Sequence, residues 1–367
     1  MGVRLDYMDF AFLCLEKPAS RNLRVAIIGA GPAGLAAAGY LACRGFEVNV
    51  FDKQPLPGGL MVFAIPPWRI PKNRVLEGAR RLEDKFGVKF TLRSKVYTGE
   101  ARREEGDELV EKNISLEEVV NEHNAVLVAT GTWESKTPKI PGVGSRGVLP
   151  ALDFLYKVRV FELGLTAEPP PKARRAVVIG GGYTAIDAAE QVARQGGEAV
   201  IAYRRTVREA PAGLFEVERA RREGIEFMEL VSPVEVVAEN GLVKGVKLQR
   251  MRLGPPDETG RPQPIPIEGS EFVVEADLVL FATGEAPTPP VRRVEEDLKR
   301  LGLTLRKDGA IVVNKIYQTG NPKIFAAGDV VTGPSRIGPA VKSGLYAARF
   351  MENWLETQLL KAPLTVG

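Results

Sequence analysis

Residues 24–53 read RVAIIGAGPAGLAAAGYLACRGFEVNVFDK, and the order of features in this stretch decides the fold. Val25 to Ile28 form a short apolar run suited to a buried strand. Gly29-x-Gly31-x-x-Gly34 makes a turn, an alanine-rich helix follows, and Glu47 to Phe51 form a second strand ending at Asp52. Each glycine has its own task. Gly29 permits the tight turn, Gly31 lets the backbone come close to a pyrophosphate, and Gly34 lets helix and strand pack closely. Ala30, Pro32 and Ala33 complete the loop, and the helix opening there points unpaired N–H groups and its positive dipole end at the phosphates. Asp52, followed by Lys53, stands at the strand tip where ribose hydroxyls would lie.

The pattern recurs at residues 175–205, RAVVIGGGYTAIDAAEQVARQGGEAVIAYRR. Here Gly180-x-Gly182-x-x-Ala185 puts alanine at the third position, which the fingerprint permits, and Gly182, Tyr183 and Thr184 open the helix. Two further pairs of signals follow in register. NAVLVATG (124–131) and ADLVLFATG (276–284) are apolar runs suited to buried parallel strands, each closing in Ala-Thr-Gly: Ala129, Thr130 and Gly131 in the first, Gly284 at the end of the second. NPKIFAAGDVV (321–331) is a strand ending at Gly328 and Asp329, followed by a glycine-rich turn into an amphipathic helix. One glycine turn alone is weak evidence; the whole series in this order points to two nucleotide-binding units in one chain.

Bulk properties narrow the chemistry. With 367 residues, about two to three domains are expected. The 50 Lys and Arg against 46 Asp and Glu leave only +4, and the basic pairs are scattered, so nucleic acid is not an expected partner. The apolar run at 10–15 is too short for a signal-peptide core, and no run of eighteen apolar residues occurs; a soluble, cytoplasmic chain with no membrane partner is expected. Cys14 and Cys43, the only cysteines, are far apart in sequence, which argues against a CxxC pair, a disulfide framework or a four-cysteine metal site. With His123 the sole histidine, a Ser-His-Asp relay or multi-histidine metal centre is not expected, and no metal is.

This order of motifs resembles the flavoprotein disulfide reductase superfamily with two dinucleotide-binding domains. A closer likeness is to the small (beta) subunit of glutamate synthase and the flavin and NADPH regions of dihydropyrimidine dehydrogenase. It is carried by Pro57-Gly58-Gly59-Leu60, Ile65-Pro66-x-x-Arg69-x-Pro71, GGGYTAIDAA with Asp187, the AYRR stretch and QTGNPKIFAAGD. The resemblance implies FAD on the first unit, NADPH on the second and hydride transfer between them. By position it puts Gly29, Gly31 and Gly34 on the FAD pyrophosphate and Asp52 on the adenosine ribose. Gly59, Leu60, Ile65 and Arg69 would line the flavin side, Ala129 to Gly131 would pass near FAD, and Asp329 would take a ribityl hydroxyl. The turn from Ile337 to Ala340 would bring N–H groups to the flavin pyrimidine ring, and Gly182, Tyr183 and Thr184 would hold the NADPH pyrophosphate. The family's amino-terminal iron-sulfur domain is here some twenty residues without its cysteines, and Tyr183 stands where Asp is common.

The fold class that follows is α/β: two Rossmann-like three-layer dinucleotide-binding domains, the NADPH domain (141–285) inserted in a split FAD domain (1–140 and 286–367). Proline-rich TPKIPGVG and EAPTPP mark the joints, and residues 224–280, alternating around Asn240-Gly241, read as an antiparallel meander. Arg204 and Arg205 replace the acid that usually ends the second strand, and with Arg208 they offer guanidinium forks to the extra ribose phosphate of NADPH. A solvated arginine pair or a salt bridge to Glu209 is the bland alternative. With no cysteine in PGGLMVFAIP or GGGYTAIDAAEQ, a dithiol exit for electrons is disfavoured, and a partner carrying iron-sulfur clusters or a second flavin is the natural acceptor. A free-standing NAD(P)H oxidase or quinone reductase and a non-catalytic nucleotide sensor are the other readings. The segment DYMDFAFLCL would pack on its own FAD domain or dock the partner.

Overall fold

Two five-stranded parallel sheets, alike in the order of four of their strands, organise the chain, in a computed structural model that describes residues 8–100, 102–257 and 260–361. In chain order the elements used below begin with β1 (Arg24–Ile28), α1 (Pro32–Cys43), β2 (Glu47–Phe51), α2 (Lys72–Phe86), β3 (Lys89–Thr91) and β4 (Ala125–Val128). There follow β5 (Val148–Pro150), α3 (Ala151–Glu162), β6 (Arg175–Ile179), α4 (Tyr183–Arg194), β7 (Glu198–Tyr203), α5 (Leu214–Arg222) and β8 (Glu226–Glu229). The antiparallel strands are β9 (Val231–Glu239), β10 (Leu242–Pro256), β11 (Pro262–Pro266) and β12 (Phe272–Glu275), and the chain closes with β13 (Leu278–Phe281), β14 (Ile324–Ala326) and α6 (Ile337–Lys361). By contact the chain divides into Met1–Phe63, Pro67–Glu134 and Glu285–Gly367 on the one hand, and Ala64–Pro66 with Ser135–Gly284 on the other.

In the first unit the sheet runs β14-β4-β1-β2-β3, every pairing parallel. From β1 the chain crosses one way to β2 and later returns on the other side as β4, which makes the carboxyl ends of β1 and β4 the switch point of a doubly wound sheet. All four residues of β4 are buried, as its uninterrupted AVLV sequence requires of a strand covered on both faces. Beneath one face lie Leu116, Val119, Val120, Leu301 and Leu303, packed with Val126 and Val128. α1 and α6 pack so closely that a Cβ on Gly344 would lie 2.2 Å from Ala33 O.

His123, just after the helix Leu116–Glu122, is buried in this layer. Its Nδ1 is 2.8 Å from Val119 O, so Nδ1 carries the proton, and Nε2 accepts from the Asn49 amide at 2.8 Å. Burial holds its pKa below the usual histidine value, opposed by the bond to Val119 O and reinforced by Arg24 and Lys323. Because the folded value lies below the unfolded one of about 6.5, stability is complete above that pH and is lost as pH falls through the folded value. Thermal melts of the native chain should therefore drop more steeply between pH 7.5 and 5 than those of His123→Gln; parallel curves would disprove the role.

Residues 8–15 lie in a groove between α1 and α2. Met8 N donates to Arg74 O at 2.9 Å, while Phe10 and Ala11 are buried. The groove exists because both helices carry glycine beneath the segment: a Cβ on Gly39 would sit 1.7 Å from Phe10 O, and one on Gly78 would sit 2.0 Å from Met8 O. The segment thus packs on its own domain, with Phe12, Leu13 and Leu15 exposed beyond it; Asp6 and Tyr7 lie outside the described residues. The groove also corrects the reading of the cysteines. Cys14 and Cys43 are joined in a disulfide with Cα atoms 5.4 Å apart, because the segment turns back over the end of α1, and separation in sequence says nothing against that. Closing a loop with a sequence separation of 29 residues contributes about 3.6 kcal/mol on the chain-entropy estimate. Cys14→Ser should lower the unfolding free energy by about that amount, checked by denaturant titration under thiol-blocking conditions.

The second unit repeats the sheet as β8-β7-β6-β13-β5, again wholly parallel. Its fifth strand comes from before the glycine loop, whereas in the first unit it comes from the end of the chain. α3 and α4 pack together, as do α4 and α5, and α4 lies against β6 and β7. Apolar residues of the sheet, among them Val177, Val200 and Val279, meet Val236, Val246 and Leu248 of the meander β9-β10-β11, to which β12 adds by pairing with β10. Asn240 and Gly241 have φ of 53° and 74°, the two left-handed residues that a two-residue hairpin between β9 and β10 demands.

Candidate dinucleotide-binding sites

The three glycines after β1 have three different surroundings. A Cβ on Gly29, whose φ is +108°, would lie 2.3 Å from Ala129 O, and one on Gly34 would lie 1.9 Å from Gly29 O. At Gly31 a Cβ would meet nothing within 4 Å, and the backbone is extended (φ −74°, ψ −173°), so neither packing nor strain requires glycine there. What remains is open space at the amino terminus of α1, the cradle a pyrophosphate needs. Gly59, with φ +53°, has its missing Cβ 2.8 Å from Gly31 Cα, and Gly58 N donates to Ala30 O at 2.8 Å, so the PGGL turn forms the wall beside that space.

Some of the other residues expected at this site lie close to one another, and others do not. Ala33, Ala129 and Ala340 form one apolar cluster, and a Cβ on Gly328 (φ +75°) would lie 2.9 Å from Ala33 Cβ. Thr130 Oγ1 donates to Thr288 O at 2.7 Å, and Gly131 (φ +76°) borders open space. Asp329 accepts from Ser335 Oγ at 2.5 Å, and burial pushes its carboxyl above the usual range. Ile337 begins α6. Leu60 opens a short helix, and Arg69 is half-buried in the turn that follows it; Ile65 groups with the second unit.

Asp52 lines a cleft with Gly29, Lys53, Tyr97, Thr130 and Trp133. Its Oδ2 accepts from Ala30 N at 2.5 Å and its Oδ1 from Gln54 N at 2.7 Å; burial pushes the carboxyl up against the pull of these two donors. Sequence reading missed the loop closing this end. Lys53 Nζ donates to Asp107 Oδ1 at 2.8 Å and to Glu105 O at 2.7 Å and lies 4.5 Å from the Trp133 ring centre, while Lys95 Nζ donates to Asp107 Oδ2 at 2.6 Å. Burial would raise the Asp107 carboxyl, but the two ammonium groups outweigh it and hold it below the usual range. The signal was Gly106 in the turn EEGD: a Cβ there would lie 2.7 Å from both Gln54 Nε2 and Trp133.

The second loop repeats the first. A Cβ on Gly180 would lie 2.3 Å from Ala282 O, the counterpart of Ala129, while one on Gly182 meets nothing within 4 Å in extended backbone (φ −92°, ψ −179°). Tyr183 and Thr184 begin α4 and Gly284 (φ +101°) borders open space. At the tip of β7 the arginines separate. Arg204 and Arg208 are exposed, and among the described residues neither guanidinium has an acid or a hydrogen-bond acceptor. Arg205 is 3% exposed, and donates to Asp257 Oδ2 at 2.8 Å and Pro262 O at 2.7 Å. Glu209 does not pair with any of them; its carboxylate accepts from Thr206 N at 3.0 Å and Thr206 Oγ1 at 2.6 Å, capping the turn.

Comparison with known proteins agrees with this geometry. The model of the pyridine nucleotide-disulphide oxidoreductase family matches residues 23–344. The chain is 37% identical over 350 residues to AegA of Escherichia coli (strain K12), covering 92% of this chain and 50% of AegA. It is 36% identical over 344 residues to the small chain of glutamate synthase (NADPH) from the same strain, covering 91% of this chain and 69% of that one. It therefore spans half of the one relative and about two thirds of the other. In fold it is similar to Mycobacterium tuberculosis FprA in complex with NADPH, with a TM-score of 0.73 at 20% identity, covering 93% of this chain and 86% of FprA. Among the described residues no helix is long and apolar enough to cross a membrane.

Proposed function

The chain belongs to the pyridine nucleotide-disulphide oxidoreductase family, and from that premise we propose that it is an NADPH-dependent FAD oxidoreductase that delivers electrons to a partner protein. The observation that carries this reading is the pair of open glycine cradles, Gly31 and Gly182, on two parallel sheets that share the order of four strands. FAD would lie along the first, with Gly29, Ala30, Pro32, Ala33 and Gly34 shaping the pyrophosphate turn and Asp52 and Lys53 at the ribose end. NADPH would lie along the second, its extra phosphate on the exposed arginines at the tip of β7. When both are bound, the nicotinamide supplies a hydride and the flavin accepts it. The chain's residues align the rings and keep water out, and no acid or base is asked of the single histidine, which is committed to Val119 and Asn49.

The exit for electrons follows from the cysteines. Cys43 closes α1 and Gly31 opens it, so the disulfide lies about 18 Å along the helix from the cradle and is no acceptor for the flavin. A partner with iron-sulfur clusters or a second flavin fits that gap. We place the chain in the cytoplasm, where NADPH is regenerated, although its disulfide is uncommon there.

The test is the purified whole chain reconstituted with FAD. Anaerobic NADPH should bleach the bound flavin, turnover with oxygen should be slow, and an iron-sulfur or flavin protein should co-purify from the native host. A chain that holds no flavin overturns the reading; rapid turnover with oxygen or quinone and no partner would replace it with a free-standing oxidase.

A further inference from the structure

We propose that Arg261, carried by the turn between β10 and β11, is a specificity-determining residue for the cofactor's extra phosphate, and that Arg205 serves to hold that turn. This rests on the reading that the second unit takes NADPH. Arg261 Nη2 donates to Tyr203 Oη at 2.9 Å and to Glu209 O at 2.6 Å. The guanidinium is thereby set at the tip of β7, and the Tyr203 ring lies against the glycine loop: a Cβ on Gly181 would be 2.6 Å from Tyr203 Cδ2. Both hydrogens of Nη2 are engaged by those two acceptors, whereas among the described residues the Nε and Nη1 hydrogens have no acceptor and no carboxylate pairs with Arg261.

Charge counting supports the same role. Arg204, Arg205 and Arg261 converge on one strand tip, where among the described residues Asp257 is the acid that pairs with them, through Arg205. Although Arg204 is exposed, partial desolvation of its guanidinium lowers its pKa, and the charges of Arg205 and Arg261 lower it further against the opposing pull of Tyr203 and Asp257. A dianionic phosphate is the ligand that balances the excess and matches planar forks. Arg205 is spent elsewhere. Its bonds to Asp257 and Pro262 O clamp the two ends of the turn, and Asp257 Oδ1 accepts from Arg261 N at 3.2 Å. The turn then presents Arg261 in the place that the neighbouring arginine of the sequence leaves vacant.

The experiment measures binding of adenosine 2′,5′-bisphosphate and of 5′-AMP to the whole chain. Arg261→Gln keeps an amide donor for Tyr203 and should weaken the bisphosphate about ten- to a hundredfold, with 5′-AMP unchanged. Arg261→Lys, which keeps the charge and loses the fork, should fall between. If both ligands weaken together, Arg261 only holds the turn and the proposal fails; it also fails if neither weakens while the native chain prefers the bisphosphate. A native chain that binds the two equally overturns the NADPH reading itself, and Arg204→Gln identifies that case by changing nothing.

Discussion

Gly31→Val should give a chain that folds and is colourless. The backbone at Gly31 is extended (φ −74°, ψ −173°) and a Cβ there meets nothing within 4 Å. The Cβ itself strains nothing and displaces nothing; replacing a tolerated N-cap residue costs about 1 kcal/mol. The side chain does, however, fill the space through which a pyrophosphate reaches the N–H groups of α1. Losing two charge-assisted bonds at about 1.5 to 3 kcal/mol each weakens FAD by about a hundredfold to ten-thousandfold. Gly34→Val is the contrast: its Cβ would lie 1.9 Å from Gly29 O, so the strand-helix turn itself cannot form and the chain fails before any cofactor is offered. The measurement is flavin absorbance after gel filtration together with the melting temperature of the apoprotein. A Gly31→Val chain that retains stoichiometric FAD would show that the cradle is not the flavin site.

The same contrast explains how much was legible beforehand. Glycines forced by close approach, such as Gly29 and Gly34, and those left open for a ligand, such as Gly31, share one spacing, and that spacing is local in sequence. Strands buried on both faces read as unbroken apolar runs, and Asn240-Gly241 announces its own turn. What was missed is non-local. The Cys14–Cys43 bond depends on a segment folding back over α1, and the Asp107 bridge between Lys53 and Lys95 depends on a loop returning to the tip of β2. The arginine pair lies between these cases. Arg204 and Arg205 stand in the bend just past the end of β7 at Tyr203, and the sequence offers both to the phosphate. Their adjacency in sequence does not say which one turns inward; the meander shows that Arg205 does, because Asp257 and Pro262 O await it there.

For that reason the largest effect on cofactor choice is expected from Arg204→Ala combined with Arg208→Ala. Both guanidinium groups are exposed and without acid partners among the described residues, so removing them leaves no buried charge stranded and the fold should change by less than about 0.5 kcal/mol. Each charge-assisted bond to a phosphate is worth about 1.5 to 3 kcal/mol, so losing two should raise the Michaelis constant for NADPH by about a hundredfold to ten-thousandfold. NADH lacks the phosphate and its constant should stay where it was. Arg205→Ala should behave differently. It leaves Asp257 half-buried without its guanidinium and frees the turn between β10 and β11, so its first effect should be on stability, and any loss for NADPH should follow the displaced turn. Steady-state kinetics with both nucleotides, beside denaturant titration of the three variants, separates these outcomes. Equal losses with NADH and NADPH in the double variant would mean that the strand tip holds the fold and reads no phosphate.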